Sequence, residues 1–376
     1  MSPLKNIRVI EFCQIAAGPF AGMLLADMGA DVIKVESPEG DGMRNWPPHT
    51  GGYSENFASL NRGKKSVVLD LKDKAQLESA RRLCLSADVV LENFRPGVMQ
   101  RLGLGYEALS RDKPSLIYCS ISAFGQQGPR SQEGGFDVTL QAIGGVMSVT
   151  GEPGGAPVKS GVPLTDFAAG LYAAFSIAAS LHEKKGRHID VPMLGTTLAI
   201  AALQTSEYFG SGKDPRKLGS AHPRNAPYQA FRCKDGHFVM AAGNDDLFRR
   251  ACDGFGLSEL ASMPNFSTTA LRALHQAELR EILEKKAFAT LTAEQCLGIA
   301  RKQGVPCAPI NTYSEALADP QVGHYGWVQP LALPGGADTR TFVSPLMKEQ
   351  KPGKPPALGE HTEEVLRQLS ASPGSR

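Results

Sequence analysis

The stretch Ile7-Arg-Val-Ile-Glu-Phe-Cys-Gln-Ile-Ala-Ala-Gly-Pro-Phe-Ala-Gly-Met-Leu-Leu-Ala-Asp-Met-Gly-Ala-Asp-Val-Ile-Lys-Val-Glu36 decides the fold class. Residues 7–12 form a short apolar run that reads as a buried strand. Ala16-Ala-Gly-Pro19 is a tight loop of small residues, 20–28 a helix, and 30–36 the next strand. Together they make a βαβ unit.

The pattern repeats downstream, with a helix at 74–86, a strand at 88–94, a helix at 98–110 and a strand at 115–121. Continuous apolar strands separated by helices imply an α/β protein with a mostly parallel sheet covered on both faces. Ligands of such sheets bind beyond the carboxyl ends of the strands, so the loops after Phe12, Glu36, Phe94 and Ser122 are the ones to watch. Further on, 136–146 reads as helix, 150–163 as a Gly/Pro-rich loop, 187–191 as strand and 194–209 as one long helix. A polar linker at 210–227 leads into a smaller α+β unit, with a strand at 238–242 and helices near 245–255, 269–286 and 292–303. Extended, proline-bearing segments follow residue 311, and a final helix starts at Glu360.

At 376 residues, 42% hydrophobic and 21% charged, the chain is too long for one compact core, and two domains are expected. A formal net charge of +2 argues against a nucleic-acid surface. Seven scattered cysteines without a C-x-x-C pair fit free thiols in a reducing compartment, the cytoplasm, and argue against a disulfide framework or zinc knot. No signal peptide is visible after Lys5 and Arg8. The longest apolar run, 167–181, falls short of a bilayer span, so a buried core helix is expected rather than membrane insertion.

The chemistry-bearing candidates are few. The chain has neither a G-x-x-x-x-G-K-[ST] loop nor a G-x-G-x-x-G between its first strand and helix, which counts against a dehydrogenase. Arg62, Lys64, Lys65, Arg95 and Arg101 gather at the ends of the α/β units, as phosphate ligands or as a solvated rim. The eight histidines include no i, i+4 pair, no metal site is expected, and no G-x-S-x-G elbow is present. Asp166, in Gly161-Val-Pro-Leu-Thr-Asp-Phe-Ala-Ala-Gly170, stands at the mouth of a small-residue helix. The helix dipole and free N–H groups there favour an ionised carboxylate, able either to attack an acyl group or simply to serve as a terminus charge.

Blocks along the whole chain then resemble one family. They are Ala17-Gly-Pro-Phe20, Leu25-Ala-Asp-Met-Gly-Ala-Asp-Val-Ile-Lys-Val-Glu36, Asn61-Arg-Gly-Lys-Lys-Ser66, Leu69-Asp-Leu-Lys72, Glu92-Asn-Phe-Arg-Pro-Gly97, Arg101-Leu-Gly-Leu-Gly-Tyr106, Ala123-Phe-Gly-Gln-Gln-Gly-Pro129, the Asp166 block and Leu358-Gly-Glu-His-Thr362. The chain resembles the class III CoA-transferases, the CaiB/BaiF family. The resemblance implies a Rossmann-like large domain (1–210, completed by 326–376), a linker and small α+β domain (211–325), and an interlocked homodimer. It implies Asp166 as nucleophile and Ala16, Ala17, Leu69, Asp70, Leu71, Lys72, Asn93, Phe94, Arg95, Arg101 and Asp137 around coenzyme A, which is a substrate and not a tightly bound cofactor.

Ser37 departs from relatives that carry Arg there. Phe136 stands where the related α-methylacyl-CoA racemases carry a catalytic His, which makes a racemase the second reading. Gly219-Ser-Ala-His-Pro-Arg224 looks most like the succinyl-CoA-dependent dicarboxylate transferases. An acceptor's second carboxylate would need a cation, for which Arg44, His49, His222 and Arg224 are candidates. A non-catalytic CoA-binding protein is the third reading.

Overall fold

The computed structural model describes residues 2–345 and 351–371, so the expected completing segment 326–376 lies partly outside the described residues. The chain divides into two compact units. The first comprises Met1–Val146, Lys159–Lys213 and Pro320–Arg376, the second Met147–Val158 and Asp214–Asp319.

The first unit is built on six parallel strands. In chain order these are β1 (Arg8–Phe12), β2 (Asp31–Glu36), β5 (Lys65–Val68), β6 (Val89–Glu92), β7 (Ile117–Ser122) and β8 (Arg187–Pro192); β3 (His49–Thr50) and β4 (Tyr53–Ser54) form a separate small hairpin. Across the sheet the order is β5-β2-β1-β6-β7-β8. The chain therefore runs outward from β1 through β2 to β5, then returns to lay β6 on the other side of β1, with Val9 opposite both Val32 and Val89. The direction reverses between β1 and β6, and a crevice opens there beyond their carboxyl ends.

Adjacent strand residues serve opposite faces. Val9, Val32, Leu91 and Cys119 pack with α1 (Ala17–Asp27) and the later α8 (Leu164–Glu183), whereas Ile10, Ile33, Val90 and Tyr118 pack with α3 (Lys74–Ser86) and the C-terminal α17 (Thr362–Ala371). Helices on both faces explain why the strands read as unbroken apolar runs. The remaining helices of this unit are α2 (Glu55–Asn61), α4 (Val98–Arg101), α5 (Tyr106–Asp112), α6 (Asp137–Ile143), α9 (Met193–Ile200), α10 (Ala202–Ser211) and α16 (Pro320–Tyr325), with the hairpin β12 (Val328–Ala332) and β13 (Asp338–Phe342); α7 (Val146–Val149) spans the boundary.

Two expected helices are interrupted. The 98–110 helix breaks after Arg101, where Gly103 turns to φ +69, and the 194–209 helix breaks at Ala201 (φ −85, ψ 26). Apolar periodicity persists across both breaks, so it did not report them.

At 20 residues, α8 is long enough to cross a bilayer, contrary to the expectation from its apolar run. Its packing decides otherwise: Thr165, Ala168, Ala169, Gly170, Ala173, Ala174, Ile177 and Ser180 are buried along one face. A Cβ on Gly170 would lie 2.7 Å from the Ala17 carbonyl oxygen, so the missing side chain is what lets α8 seat directly on α1.

The C-terminal segment joins the same unit. Thr362 Oγ1 accepts the Val68 N–H at 3.0 Å, Ser66 Oγ accepts the Gly359 N–H at 2.9 Å, and Val365 is buried against the sheet.

The second unit has an antiparallel sheet of order β11-β10-β9, from β9 (Tyr228–Cys233), β10 (Gly236–Ala241) and β11 (Cys307–Pro309). Its helices are α11 (Asp245–Gly254), α12 (Thr269–Leu274), α13 (Gln276–Leu283), α14 (Ala293–Lys302) and α15 (Tyr313–Leu317). Phe231, Phe238, Phe248, Phe266 and Phe288 fill its core. The expected 269–286 helix is split at His275 and passes into a π turn at Glu284–Phe288.

Candidate active site

The crevice between β1 and β6 carries the densest set of candidates. Ile15, Ala16 and Ala17 come off β1, and Asn93, Phe94 and Arg95 off β6. With Gly135, Phe136 and Asp166 they line a cavity of about 260 Å³. A second, larger cavity of about 460 Å³ adjoins it, walled by Met43, Trp46, Asn56, Ser59, Leu60 and Val138. Ile15, Ala16, Phe136 and Asp166 belong to both linings. Asp166 thus stands where a ligand in one cavity meets a ligand in the other.

Asp166 is the third residue of α8, behind a Pro163 cap. The neighbouring helix start supplies a second carboxylate. Asp137, first residue of α6, accepts the Thr165 N–H (3.0 Å) and the Thr165 hydroxyl (2.8 Å) on one oxygen and Gln141 Nε2 (2.8 Å) on the other. Gln141 in turn accepts the Ser160 N–H at 2.8 Å, pinning the loop before α8. Among the described residues no hydrogen bond reaches the Asp166 carboxylate. Burial, reinforced by the Asp137 charge, raises its pKa to about 7, which corrects the expectation of a stable anion drawn from the helix dipole.

The other candidates are placed as follows. Asn93 spends its amide on the backbone, accepting the Gln14 N–H and donating to the Gln14 carbonyl, both at 2.9 Å. Glu92, its carboxyl pushed up to about 7 by burial, accepts the Phe94 N–H and so shapes the same loop. Arg95 and Arg101 are exposed, and no acidic partner faces either among the described residues. Leu69 and Leu71 turn toward the core under β5, Asp70 accepts the Lys72 N–H, and Lys72 is exposed; none of the four lines the two Asp166 cavities.

Arg44 is already committed. It grips Glu36 with two bonds of 2.7 and 2.8 Å, reaches the Pro356 carbonyl, and stacks 3.8 Å over the Phe57 ring. His49 is exposed on the small hairpin. His222 and Arg224 belong to the second unit, where the His222 ring accepts the N–H groups of Arg224 and Asn225. Sequence reasoning did not single out the wall residues Met43, Trp46, Asn56, Ser59 and Leu60, which sit on loops and a short helix with no motif to mark them. It also missed Ile15, whose φ of +68 no sequence signal announces in a β-branched residue.

Among the described residues, no cluster of three His, Cys, Asp or Glu side chains could hold a metal, and all seven cysteines are free.

Two open cavities meeting at an unpartnered carboxylate, past the carboxyl ends of a parallel sheet, suit an enzyme that passes a group between two substrates. The chain belongs to the CoA-transferase family III, whose model matches residues 4–362, and it is an enzyme of that class. It is 40% identical to the succinate–glutarate CoA-transferase of Agrobacterium fabrum, covering 98% of this chain and 96% of that one. It is 38% identical to the human succinyl-CoA:glutarate CoA-transferase, covering 98% and 86%. Among solved structures, a CAIB/BAIF family protein from Brucella suis superposes with a TM-score of 0.85 at 38% identity, over 98% of this chain and 99% of that one.

Proposed function

We propose that this chain moves CoA from succinyl-CoA to a dicarboxylic acid, with Asp166 carrying the transferred groups covalently. The observation that carries this reading is the Asp166 carboxylate itself, half-buried, without a hydrogen-bond partner among the described residues and shared by both cavities. The dicarboxylate pair is suggested by the substrates named in the relatives above.

The chemistry balances without redox or net proton change. The Asp166 carboxylate attacks the thioester carbon, the C–S bond breaks, and a mixed anhydride and CoA thiolate result. The thiolate attacks the aspartyl carbonyl and expels the donor acid, leaving an aspartyl-CoA thioester. The acceptor carboxylate displaces CoA from that thioester, and the returning thiolate attacks the acceptor's acyl carbon. New acyl-CoA leaves and the Asp166 carboxylate is restored. An ester would be too stable for this return, which is why a carboxylate suits the role better than a serine. Charge builds on each tetrahedral oxygen, and the first-turn N–H groups at the start of α1, whose Ala17 lines the same cavity as Asp166, are candidates to meet it.

The smaller cavity, with Ala16, Ala17, Asn93, Phe94 and Arg95, is assigned to the pantetheine arm, and the larger to the acyl chain. Leu69–Lys72 would offer backbone, and Arg95 and Arg101 charge, to the nucleotide end. Arg44 is held by Glu36, which leaves His49 as the first unit's candidate for the acceptor's second carboxylate, while His222 and Arg224 belong to the second unit. Phe136 cannot titrate and Asp137 is engaged by Thr165 and Gln141, which disfavours the racemase. The Rossmann-like character of the first unit, cytoplasmic location and an interlocked homodimer belong to the same reading. Exposed apolar side chains on α8 and α10, with Phe175 at 73% and Phe209 at 80%, support a partner subunit there.

Intact-protein mass spectrometry after incubation with succinyl-CoA tests the route. A CoA-sized adduct is expected that hydroxylamine removes and that Asp166→Ala lacks. An adduct persisting in Asp166→Ala would sink the assignment.

A further inference from the structure

In the turn Cys13–Ala17, Gln14 to Ala17 line the smaller cavity and Ile15 and Ala16 the larger one too, yet the backbone sits in a costly conformation. Ile15 has φ +68, a left-handed geometry that a β-branched residue adopts only when its surroundings impose it. The surroundings are visible at three consecutive residues. Lys34 Nζ donates to the Cys13 carbonyl at 2.5 Å. Asn93 brackets Gln14 with two bonds of 2.9 Å. Asp41 accepts the Ile15 N–H on both oxygens, at 3.2 Å each.

Behind these contacts lies a closed set of charges. Lys34, wholly buried on β2, also meets Asp41 at 2.9 Å and Glu11 at 3.1 Å. Glu11 meets Lys64 at 2.8 Å, an ion pair without good hydrogen-bond alignment at Glu11 Oε2. Lys64 Nζ donates to the Pro19 carbonyl in the first turn of α1 and to Asn61 Oδ1. Glu36 accepts the Asp41 N–H and the Ser66 hydroxyl while holding Arg44. Three anions and three cations balance, so no member is left as an unpaired buried charge. Such networks are poor sources of stability relative to apolar packing, but they fix geometry.

We propose that Lys34, Asp41 and Asn93 are positioning residues for the transfer reaction: they clamp the Cys13–Ile15 backbone and hold Ile15 left-handed, which aims Ala16, Ala17 and the start of α1 at Asp166. This rests on the assignment of the Asp166 crevice as the active site. Asp41 is the central link, because its two oxygens join the buried ammonium of Lys34 to the strained Ile15 amide.

A double-mutant cycle with Ile15→Gly tests it, since glycine adopts φ +68 without strain and needs no clamp. Asp41→Asn alone is expected to speed amide hydrogen exchange across residues 13–17 and to lower kcat/KM roughly ten- to a hundredfold, the scale of a small misplacement of reacting groups. In the Ile15→Gly background the same substitution should cost less than about threefold. Asn93→Ala, on a half-buried side chain, should act in the same direction and carries the cycle if Asp41→Asn does not fold. An equal loss of activity in both backgrounds, or unchanged exchange at 13–17 in the clamp variants, overturns the proposal. Exchange is read without turnover, so a wild-type protein that forms no CoA adduct would refute the assigned function and leave the clamp to be judged by exchange alone.

Discussion

Asp166 is a half-buried carboxylate beside another carboxylate, and both the partial loss of water and the neighbouring charge oppose its ionisation. Its folded pKa of about 7 lies above the ordinary value of 3.8, so the folded state binds the proton more tightly than the unfolded chain does. The stability this contributes is fully present below about pH 3.8 and is lost as pH rises through about 7. Asp166→Asn, neutral at every pH, should therefore become more stable than wild type above pH 7, and the gap should close in acid. Urea titrations at several pH values check this. With Asp166 as the attacking group, kcat/KM for the acyl-CoA donor should fall about tenfold per pH unit below pH 7. Asp137→Asn removes the neighbouring charge and should move that limb to lower pH. An unmoved limb would mean that burial alone sets the pKa.

At the scale of elements, α1 and α8 show what small residues accomplish. Gly170 meets the Ala17 carbonyl and the Phe20 ring so closely that a side chain has no room. Gly170→Val should cost about 2–3 kcal/mol through overpacking, read as a lower denaturant midpoint. Gly298 is the control, exposed inside α14 with nothing within 4 Å of its would-be Cβ. Gly298→Ala should stabilise the protein by about 0.5–1 kcal/mol. The two glycines look alike in a sequence window, and only the neighbouring helix separates them. The long α helices were legible from composition and period. Their interruptions at Gly103, Ala201 and His275 were not, because the apolar pattern continues on either side.

In the molecule as a whole, the C-terminal segment closes onto the first unit's sheet. Pro356 accepts bonds from Arg44 and Tyr53, Ser66 and Val68 pair with 359–362, and Val365 enters the core. Val365→Ala should cost about 1–3 kcal/mol, a drop of a few degrees in Tm, despite lying close to the chain end. A change confined to the last turn, with the midpoint unaltered, would mean the segment does not contribute to this core.

By itself the sequence determined the parallel α/β sheet and the loops that end at its crevice, because strand runs, short βαβ spacing and tight small-residue loops are local properties. It also brought Ala16, Ala17, Asn93, Phe94, Arg95 and Asp166 into view, and the structure gathers these in one lining. Only the tertiary structure decided the charges. Whether Asp166 is ionised depends on Asp137, brought beside it where the starts of α6 and α8 meet, and the grip of Lys34 and Asp41 on the Ile15 turn depends on β1 and β2 lying side by side. Electrostatic energy follows distance and burial, and neither quantity exists until the sheet is assembled.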